Sequence, residues 1–284
     1  MEHEPLIRLG FFFGIFATVA FFETRYPRRP TRHKTQRWIA NLGLITLNTL
    51  VLRLVFPASA AGIALVAEEG QWGLLHHYHL GPDLTLLLSV IALDLIIYLQ
   101  HILFHAAPLL WRLHMIHHAD LEFDVTTGVR FHPIEIILSM VIKFAAIAAL
   151  GAPVMAVIVF EIVLNGCSMF NHGNVQLPGK VDRLLRWFII TPDMHRVHHS
   201  NVKQETNSNY GFNLSCWDRL FGTYRPQPRL GHEGMEIGLT QFRDRSRLTL
   251  PWLLILPFIG KVGGYPINRS EEPDQINPHK KPEK

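Results

Sequence analysis

Charged side chains and cysteines are both scarce in this sequence. Asp, Glu, Lys and Arg make up 18% of its 284 residues, whereas a soluble domain usually carries about 25%. The two cysteines, Cys167 and Cys216, are too few for a disulfide framework, and neither belongs to a CxxC metal pair. The shortage of cysteine excludes a disulfide-stabilised secreted module and a cysteine-based zinc module. The shortage of charge favours a membrane protein.

Apolar residues are abundant instead, at 48% of the chain, and they come in long blocks. The blocks cover residues 6–22, 38–66 (broken near Pro57), 84–104 and 136–170 (broken at residues 151–153). The first block follows an acidic N-terminus and precedes no small-residue cleavage site, so it predicts an anchor and not a signal peptide. We therefore predict an all-α integral membrane protein with about four transmembrane helices, including one helical hairpin, and a cytoplasmic His-rich helical cap.

The basic residues indicate how the chain is oriented. Residues 25–37 contain six Lys or Arg, whereas residues 67–83 contain neither. Loops rich in Lys and Arg stay on the cytoplasmic side. Residues 84–104 therefore return to that side, in a bacterial inner membrane or an ER-type membrane. Because the excess of positive charge lies in such loops, the net charge of +4 does not indicate a nucleic-acid surface.

These signals divide the chain into four parts. Residues 1–82 are predicted to be transmembrane anchor helices, and residues 83–226 a His-rich catalytic domain. Residues 227–267 are predicted to associate with the membrane, since the apolar stretch within them is too short to span it. Residues 268–284 are polar, charged and rich in proline, which is typical of a disordered tail.

Histidines cluster where the third apolar block ends. They form an HxxxH followed by an HxxHH, and a second HxxHH lies about eighty residues further along. Imidazole is costly to bury near a membrane unless it is paired or binds a metal, and its neutral form is the commonest metal ligand. Nine histidines fall on the predicted cytoplasmic side: His101, His105, His114, His117, His118, His172, His195, His198 and His199.

Nine imidazoles are too many for one tetrahedral zinc and suit two metal ions. Their nitrogens are compatible with Fe, Zn, Cu or Ni, and the residues alone do not choose among these metals. A zinc peptidase is disfavoured because HExxH is absent, and a soluble di-iron carboxylate bundle because the Glu-x-x-His repeats are absent. Asp94, within a membrane helix, could orient a histidine or make a helix-packing hydrogen bond. The histidines at 76, 77 and 79 fall on the far side and are interpreted as a polar loop. Those at 3, 33, 232 and 279 are assigned no role.

The combined motifs resemble the fatty acid hydroxylase superfamily of integral membrane enzymes, which includes sterol desaturases and alkylglycerol monooxygenase. The resemblance covers residues 84–224 and depends on HxxxH, the two HxxHH units, an intervening NHxN, and a later NYG and WDRLFGTY. It implies a non-haem centre of two iron ions, with the nine histidines as ligands and O2 as co-substrate. It also implies attack on a C–H bond of a lipid drawn from the bilayer. Because the chain has no haem, flavin or iron–sulfur motif, electrons are expected from a separate electron-transfer protein or reductase.

Other residues receive expected roles from the same resemblance. His132, in His-Pro-x-Glu, could be a tenth metal ligand, a support behind the ligands or part of a substrate wall. Asp94, Asn171 and Asp193 are expected to support the centre from behind the ligands, with helix capping or packing as the alternative for each. Hydroxylation and desaturation remain open, and a non-catalytic membrane metal-binding or transport protein is the third possibility.

Overall fold

The structure is a computed structural model that describes residues 4–78 and 80–268. This part of the chain is helical, with isolated β-bridges and no strand. The long helices are α1 (Glu4–Arg25), α2 (Lys34–Val55), α4 (Pro82–Ala106), α6 (Pro133–Leu150) and α7 (Val154–Asn171), and the shorter α3 (Ala60–Glu69) and α5 (Pro108–His118) lie between them in the chain. Shorter helices follow: α8 (Gly179–Leu185), α9 (Pro192–His198), α10 (Lys203–Thr206), α11 (Cys216–Leu220), α12 (Gly231–Gly234) and α13 (Leu250–Ile259). Turns of 3-10 helix cover Leu74–His77, Thr127–Val129 and Arg245–Arg247.

Five segments of the described chain are long and apolar enough to cross a membrane. They are Pro5–Arg25, Lys34–His77, Pro82–Ala106, Pro133–Leu150 and Val154–Asn171. The predicted number was about four, and the hairpin supplies two of the five, α6 and α7. The predicted all-α architecture is confirmed. Many apolar side chains on these helices point outward, as on a surface that faces lipid: Leu6, Phe11, Phe13, Ile39, Leu54, Leu87 and Val141 are all exposed.

Both predicted interruptions of the apolar blocks occur. Helix α2 ends at Val55, just before Pro57, and α3 begins at Ala60. The hairpin turns at Gly151, whose φ of 69° closes α6 in a left-handed conformation. A side chain at Gly151 would also collide with the carbonyl of Trp72, so two independent constraints favour glycine at this turn.

A buried ionic network attaches α2 to the loop after α5. The guanidinium of Arg37 donates to Asp120 at 2.6 and 2.8 Å and to Asp124 at 2.6 Å. Beside it, Arg130 donates to Asn41 Oδ1 at 2.7 Å and to the carbonyl of Ile116 at 2.7 Å. Charged groups are stable in such a position only when they are paired, so this network fixes α5 against the bundle.

Helix α13 packs against α5 and α2 within the protein. Its Leu253 and Leu256 join a buried cluster with Trp111, Met115 and Leu44. The predicted tail, apart from residue 268, and the histidines at 3, 79 and 279 lie outside the described residues.

Candidate metal centre

The structure brings all nine predicted histidines together, and it divides them into two neighbouring groups. Within each group, one potential ligand atom from every residue lies within 4.8 Å of the others. Group one is His101, His105, His114, His118 and His198, and group two is His117, His172, His195 and His199. All nine side chains are buried.

Each HxxHH unit contributes to both groups. In α5, His114 and His118 are four residues apart and enter group one, while His117 enters group two. In and after α9 the pattern is reversed, since His195 and His199 enter group two and His198 enters group one. The two groups are consequently in contact: the rings of His118 and His199 stack with their centroids 4.6 Å apart.

The remaining ligands come from the ends of two long helices. His101 and His105 occupy successive turns at the end of α4, and His172 follows the last residue of α7. Pro108 begins α5 immediately after α4, so the chain turns sharply and the two helices present their histidines to the same space. The centre thus lies at one end of the long-helix bundle, covered by the shorter helices.

Five histidines have their Nδ1 atoms fixed by oxygen acceptors. Backbone carbonyls accept from three of them: Tyr210 O from His101, Ser168 O from His172 and Ser208 O from His198, each at 2.7 Å. Side chains accept from two more: Asn207 Oδ1 from His105 at 3.0 Å and Glu135 Oε1 from His114 at 2.6 Å. Carbonyl and carboxylate oxygens only accept, so each of these imidazoles carries its proton on Nδ1 and points an Nε2 lone pair at the centre.

These lone pairs make a cation the natural occupant. The Nε2 atom of His101 lies 3.1 Å from Nε2 of His114 and 3.1 Å from Nε2 of His198. Since all three protons are on Nδ1, no hydrogen remains to bridge these nitrogens, and the facing lone pairs repel one another unless a metal ion lies between them. In group two, Nε2 of His172 lies 3.0 Å from Nε2 of His195 and 3.2 Å from Nε2 of His117. The donor set of both groups therefore fits nitrogen-ligated metal ions.

Burial keeps the histidines outside the long helices in the neutral form that binds metals. It lowers the pKa of His114 and of His172 to about 3. Burial and the neighbouring imidazoles hold the pKa of five others well below the usual value: His117, His118, His195, His198 and His199. These seven imidazoles are therefore neutral at pH 7, each with one ring proton, and need not lose a proton before they coordinate a metal.

The structure does not bring His132, the possible tenth ligand, into either group. His132 caps the start of α6, where its Nδ1 accepts from the backbone N–H of Ile134 at 3.2 Å. Its Nε2 lies 3.2 Å from the carbonyl of Leu254 and donates to it. Both ring nitrogens are therefore used, and no lone pair is left for a metal. The glutamate of the same His-Pro-x-Glu motif is the residue that reaches the centre.

The three residues expected to support the ligands have other partners. Asp94 Oδ2 accepts from Trp217 Nε1 at 2.8 Å and from the backbone N–H of Leu214 at 3.3 Å. Asn171 donates to the carbonyl of Phe212 at 2.9 Å, and Asp193 pairs with Arg196 and Arg28. Among the described residues, none of the three hydrogen-bonds to a histidine of either group. Their contacts are those of helix and loop packing, which was the stated alternative.

Sequence reasoning missed the residues that do hold the ligands. Glu135 and Asn207 support His114 and His105, and backbone carbonyls support three more. Glu135 had a detectable signal, because it shares a motif with His132. The carbonyl acceptors had none, since any residue offers a carbonyl. His76 and His77 lie in the 3-10 turn before α4 and belong to neither group, as expected, and the same holds for His33 and His232.

A cavity of about 390 Å³ lies between the long helices and reaches group one. Two of the histidines, His101 and His114, form part of its wall. Phe104, Phe131 and Phe212 line it beside them. An apolar chain in this cavity would have its end next to the two imidazoles, with aromatic rings separating it from water.

Comparisons with known proteins agree with this geometry. The family model described as "Fatty acid hydroxylase" matches residues 86–223. Ornithine lipid hydroxylase OlsE from Rhizobium tropici is 33% identical over 233 residues, which cover 79% of this chain and 68% of that protein. Alkylglycerol monooxygenase from Xenopus tropicalis is 27% identical over 194 residues, or 66% of this chain and 41% of that protein. Cholesterol 25-hydroxylase from Rattus norvegicus is 26% identical over 200 residues, or 66% and 61%.

This chain spans less than half of the alkylglycerol monooxygenase that it resembles. No solved structure gives a significant match to this chain. The matched region nevertheless contains His101 to His199 in full, including both HxxHH units and the supporting Glu135. By sequence, and in agreement with the arrangement of its histidines, this protein belongs to the fatty acid hydroxylase family.

Proposed function

We propose that this protein is a membrane-embedded oxidoreductase that hydroxylates a C–H bond of a lipid, with two non-haem iron ions and O2 as co-substrate. One observation carries the proposal: two interleaved groups of buried, neutral histidines adjoin a cavity inside a bundle of apolar helices. Group one would hold one ion and group two the other. Iron bound there, given electrons from an external donor, would activate O2 and so supply the power to remove a hydrogen atom from an unactivated C–H bond.

The protein's own part is to position the ligands and the lipid. Glu135, Asn207 and three backbone carbonyls hold the Nδ1 protons of five imidazoles, so the Nε2 lone pairs stay directed at the metals. The phenylalanines around the cavity exclude water and confine the lipid chain. Such confinement matters because a misplacement of about 1 Å can cost roughly a hundredfold in rate.

The membrane arrangement is also part of the proposal. The basic loop at residues 25–37 would place the histidines on the cytoplasmic side of a bacterial inner membrane or an ER-type membrane. The cavity lies among helices α1, α2, α4, α6 and α7, so a lipid would enter it sideways from the bilayer. The substrate would not need to leave the membrane to reach the metals.

A separate electron-transfer protein or reductase completes the reaction. Phe123 packs between the centre and the outside, with its ring centroid 5.5 Å from that of His172 and 5.1 Å from that of His199. Phe123 also lines a pocket of about 540 Å³ whose wall has more basic than acidic residues: Arg28, Arg29, Arg32 and Arg245 against Glu122 and Glu233. An acidic electron carrier would be attracted to this surface and would arrive next to group two.

Desaturation with the same metals is the alternative reaction, since it also begins with the removal of a hydrogen atom from the lipid. A transport protein is less consistent with the structure, because transport needs ionisable groups along a path through the membrane, and these histidines gather at one end of the bundle.

Isotope incorporation tests the proposal. The purified protein in lipid nanodiscs would receive iron, a chemical reductant, a membrane lipid extract and isotopically labelled O2. We expect labelled lipid alcohols from the wild type, none from His118→Ala, and unchanged yields from His77→Ala, whose histidine is exposed and outside both groups. If unlabelled alkenes were the only product, the reaction would be desaturation and not hydroxylation. Full activity of His118→Ala would overturn the metal assignment.

A further inference from the structure

The cavity beside group one is more polar than a site for a plain hydrocarbon chain needs to be. Asn48 from α2 and Gln100 from α4 both contribute to its wall. Gln100 directly precedes His101 in α4, so the two residues lie about 1.5 Å apart along the helix axis. A polar side chain in such a position is costly unless its hydrogen bonds are satisfied.

In the side-chain amide of Asn48, the nitrogen has a hydrogen-bond partner and the oxygen has none in the described part of the protein. Its Nδ2 donates to the carbonyl of Phe131 at 2.9 Å, which determines the orientation of the amide because Oδ1 cannot face another oxygen. The side chain is only 6% exposed, and its Oδ1 is a buried acceptor without a partner in the protein. The ring of Phe131 in turn stacks on the imidazole of His117, with the ring centroids 4.6 Å apart. Asn48 is therefore bonded to a residue that contacts group two of the histidines.

Gln100 shows the same arrangement from the other side of the cavity. Its Nε2 donates to Ser139 Oγ at 3.0 Å, and its buried Oε1 has no partner in the protein. Ser139 lies one turn of α6 beyond Glu135, or about 6 Å along the helix axis. Asn48 and Gln100 thus both have an open acceptor, and they line the same cavity as His101 and His114.

We propose that Asn48 and Gln100 accept hydrogen bonds from an N–H or O–H group of the substrate. The protein then selects lipids that carry such a donor within a few bonds of the attacked carbon, such as an amide or an alcohol. Lipids that offer only hydrocarbon, ether or ester at that position leave both acceptors unpaired and bind less well. This inference rests on the proposed function, and it names the substrate class of that same cavity.

Two matched pairs of probes test it. Dodecanol and dodecyl methyl ether share a chain and differ in one O–H, and N-methyldodecanamide and N,N-dimethyldodecanamide differ in one N–H. Their dissociation constants would be measured by equilibrium binding to the iron-loaded protein in nanodiscs, without reductant, so that no turnover occurs. Since one neutral hydrogen bond is worth about three- to tenfold in affinity, we expect each donor to bind about tenfold more tightly than its capped partner.

Substitutions then assign the preference to the two residues. Asn48→Leu and Gln100→Met each remove an acceptor at similar side-chain volume. Because each probe has one hydrogen and bonds to one acceptor at a time, either single variant should keep part of the preference, and the double variant should lose it. Thr46→Val, on the exposed side of α2, is the matched control and should keep the full preference. Iron content and unfolding temperature would verify that each variant is folded.

If the wild type bound both members of each probe pair equally tightly, the inference would be wrong. This comparison needs no variant. A preference that survives the double substitution would also overturn it. The outcome is separable from the test of function: loss of preference in a protein that hydroxylates lipid rejects this inference alone. A clear preference in a protein that incorporates no labelled oxygen rejects the proposed function alone.

Discussion

Glu135 Oε1 lies 2.6 Å from Nδ1 of His114, and both side chains are buried. The contact joins the first turn of α6 to α5 and holds the imidazole in the tautomer that directs Nε2 at group one. A carboxylate in this position also makes the imidazole a stronger metal ligand. Glu135 is thus a positioning residue that acts through His114.

Replacing Glu135 with Gln should weaken metal binding without unfolding the protein. The amide keeps the shape and can still accept from Nδ1, but it lacks the charge that strengthens the bond. We expect iron affinity and activity to fall by roughly tenfold to a hundredfold. Competition with a chelator of known affinity measures the change, and Glu69→Gln, exposed on α3, is the control. Unchanged iron affinity would show that the contact plays no part in metal binding.

His132→Asn should leave the metals in place. Asparagine is among the best helix N-caps, so it should replace the capping function of His132 at a cost below about 1 kcal/mol. Elemental analysis is expected to find the wild-type iron content in this variant. A loss of iron comparable to that caused by His118→Ala would identify His132 as a metal ligand.

The sequence predicts the helical bundle well because long apolar blocks and their Pro and Gly interruptions are local signals. It also selects the nine histidines. Spacing puts those of HxxxH and the two HxxHH units on shared helix faces, whereas His172 is selected by its place in NHxN and by the predicted topology. The sequence does not predict how the histidines are divided between two groups, because the division depends on which histidines of the other helices meet His114, His117 and His118 in the folded chain. Nor does it predict the carbonyl acceptors at Ser208 and Tyr210, which depend on the path of a loop and not on side-chain type.

His132 and Glu135 illustrate a narrower limit of sequence reasoning. Both belong to one motif, and the choice between them depends on where α6 begins. His132 is the N-cap, so its ring turns back to the N–H of Ile134, while Glu135 in the first turn points at His114. If α6 began one residue earlier or later, the side chains of His132 and Glu135 would point in other directions and would have other partners.

The ion pair of Arg37 with Asp120 should make stability depend on pH in a defined direction. Burial alone would raise the pKa of Asp120, but the guanidinium of Arg37 outweighs it and holds that pKa well below its usual range. Its pKa in the unfolded chain is about 3.9. A depressed pKa stabilises the folded state above the unfolded value, and this contribution is lost as the pH falls towards the folded value.

Buried histidines also make the unfolding free energy depend on pH. Comparing the wild type with Asp120→Asn isolates the contribution of Asp120, because both proteins contain the same histidines. We expect the variant to lose about 3 kcal/mol at neutral pH, because it weakens the pairing of a buried charge. The difference in unfolding free energy between wild type and variant should be constant above pH ~5 and shrink below pH ~4. Denaturant unfolding in detergent at a series of pH values measures it. A difference that grew on acidification would have the opposite sign to the one expected from this ion pair.

Asp94 should matter for stability and not for metal binding. Its carboxylate accepts from Trp217 and Leu214 and so fixes the loop before α11 against α4. Asp94→Leu leaves both donors unpaired and should lower stability by about 1–3 kcal/mol. Iron content at low temperature, where the variant remains folded, should match the wild type. Specific loss of one iron from folded Asp94→Leu protein would contradict the packing role.

The number of iron ions per chain tests the central claim most directly. Elemental analysis of the protein purified from iron-supplied cells should find two iron ions per chain, one for each histidine group. His105→Ala, in group one, and His195→Ala, in group two, should each retain about one. A wild type that binds a single metal ion, or none, would contradict the two-metal centre on which the proposed function depends.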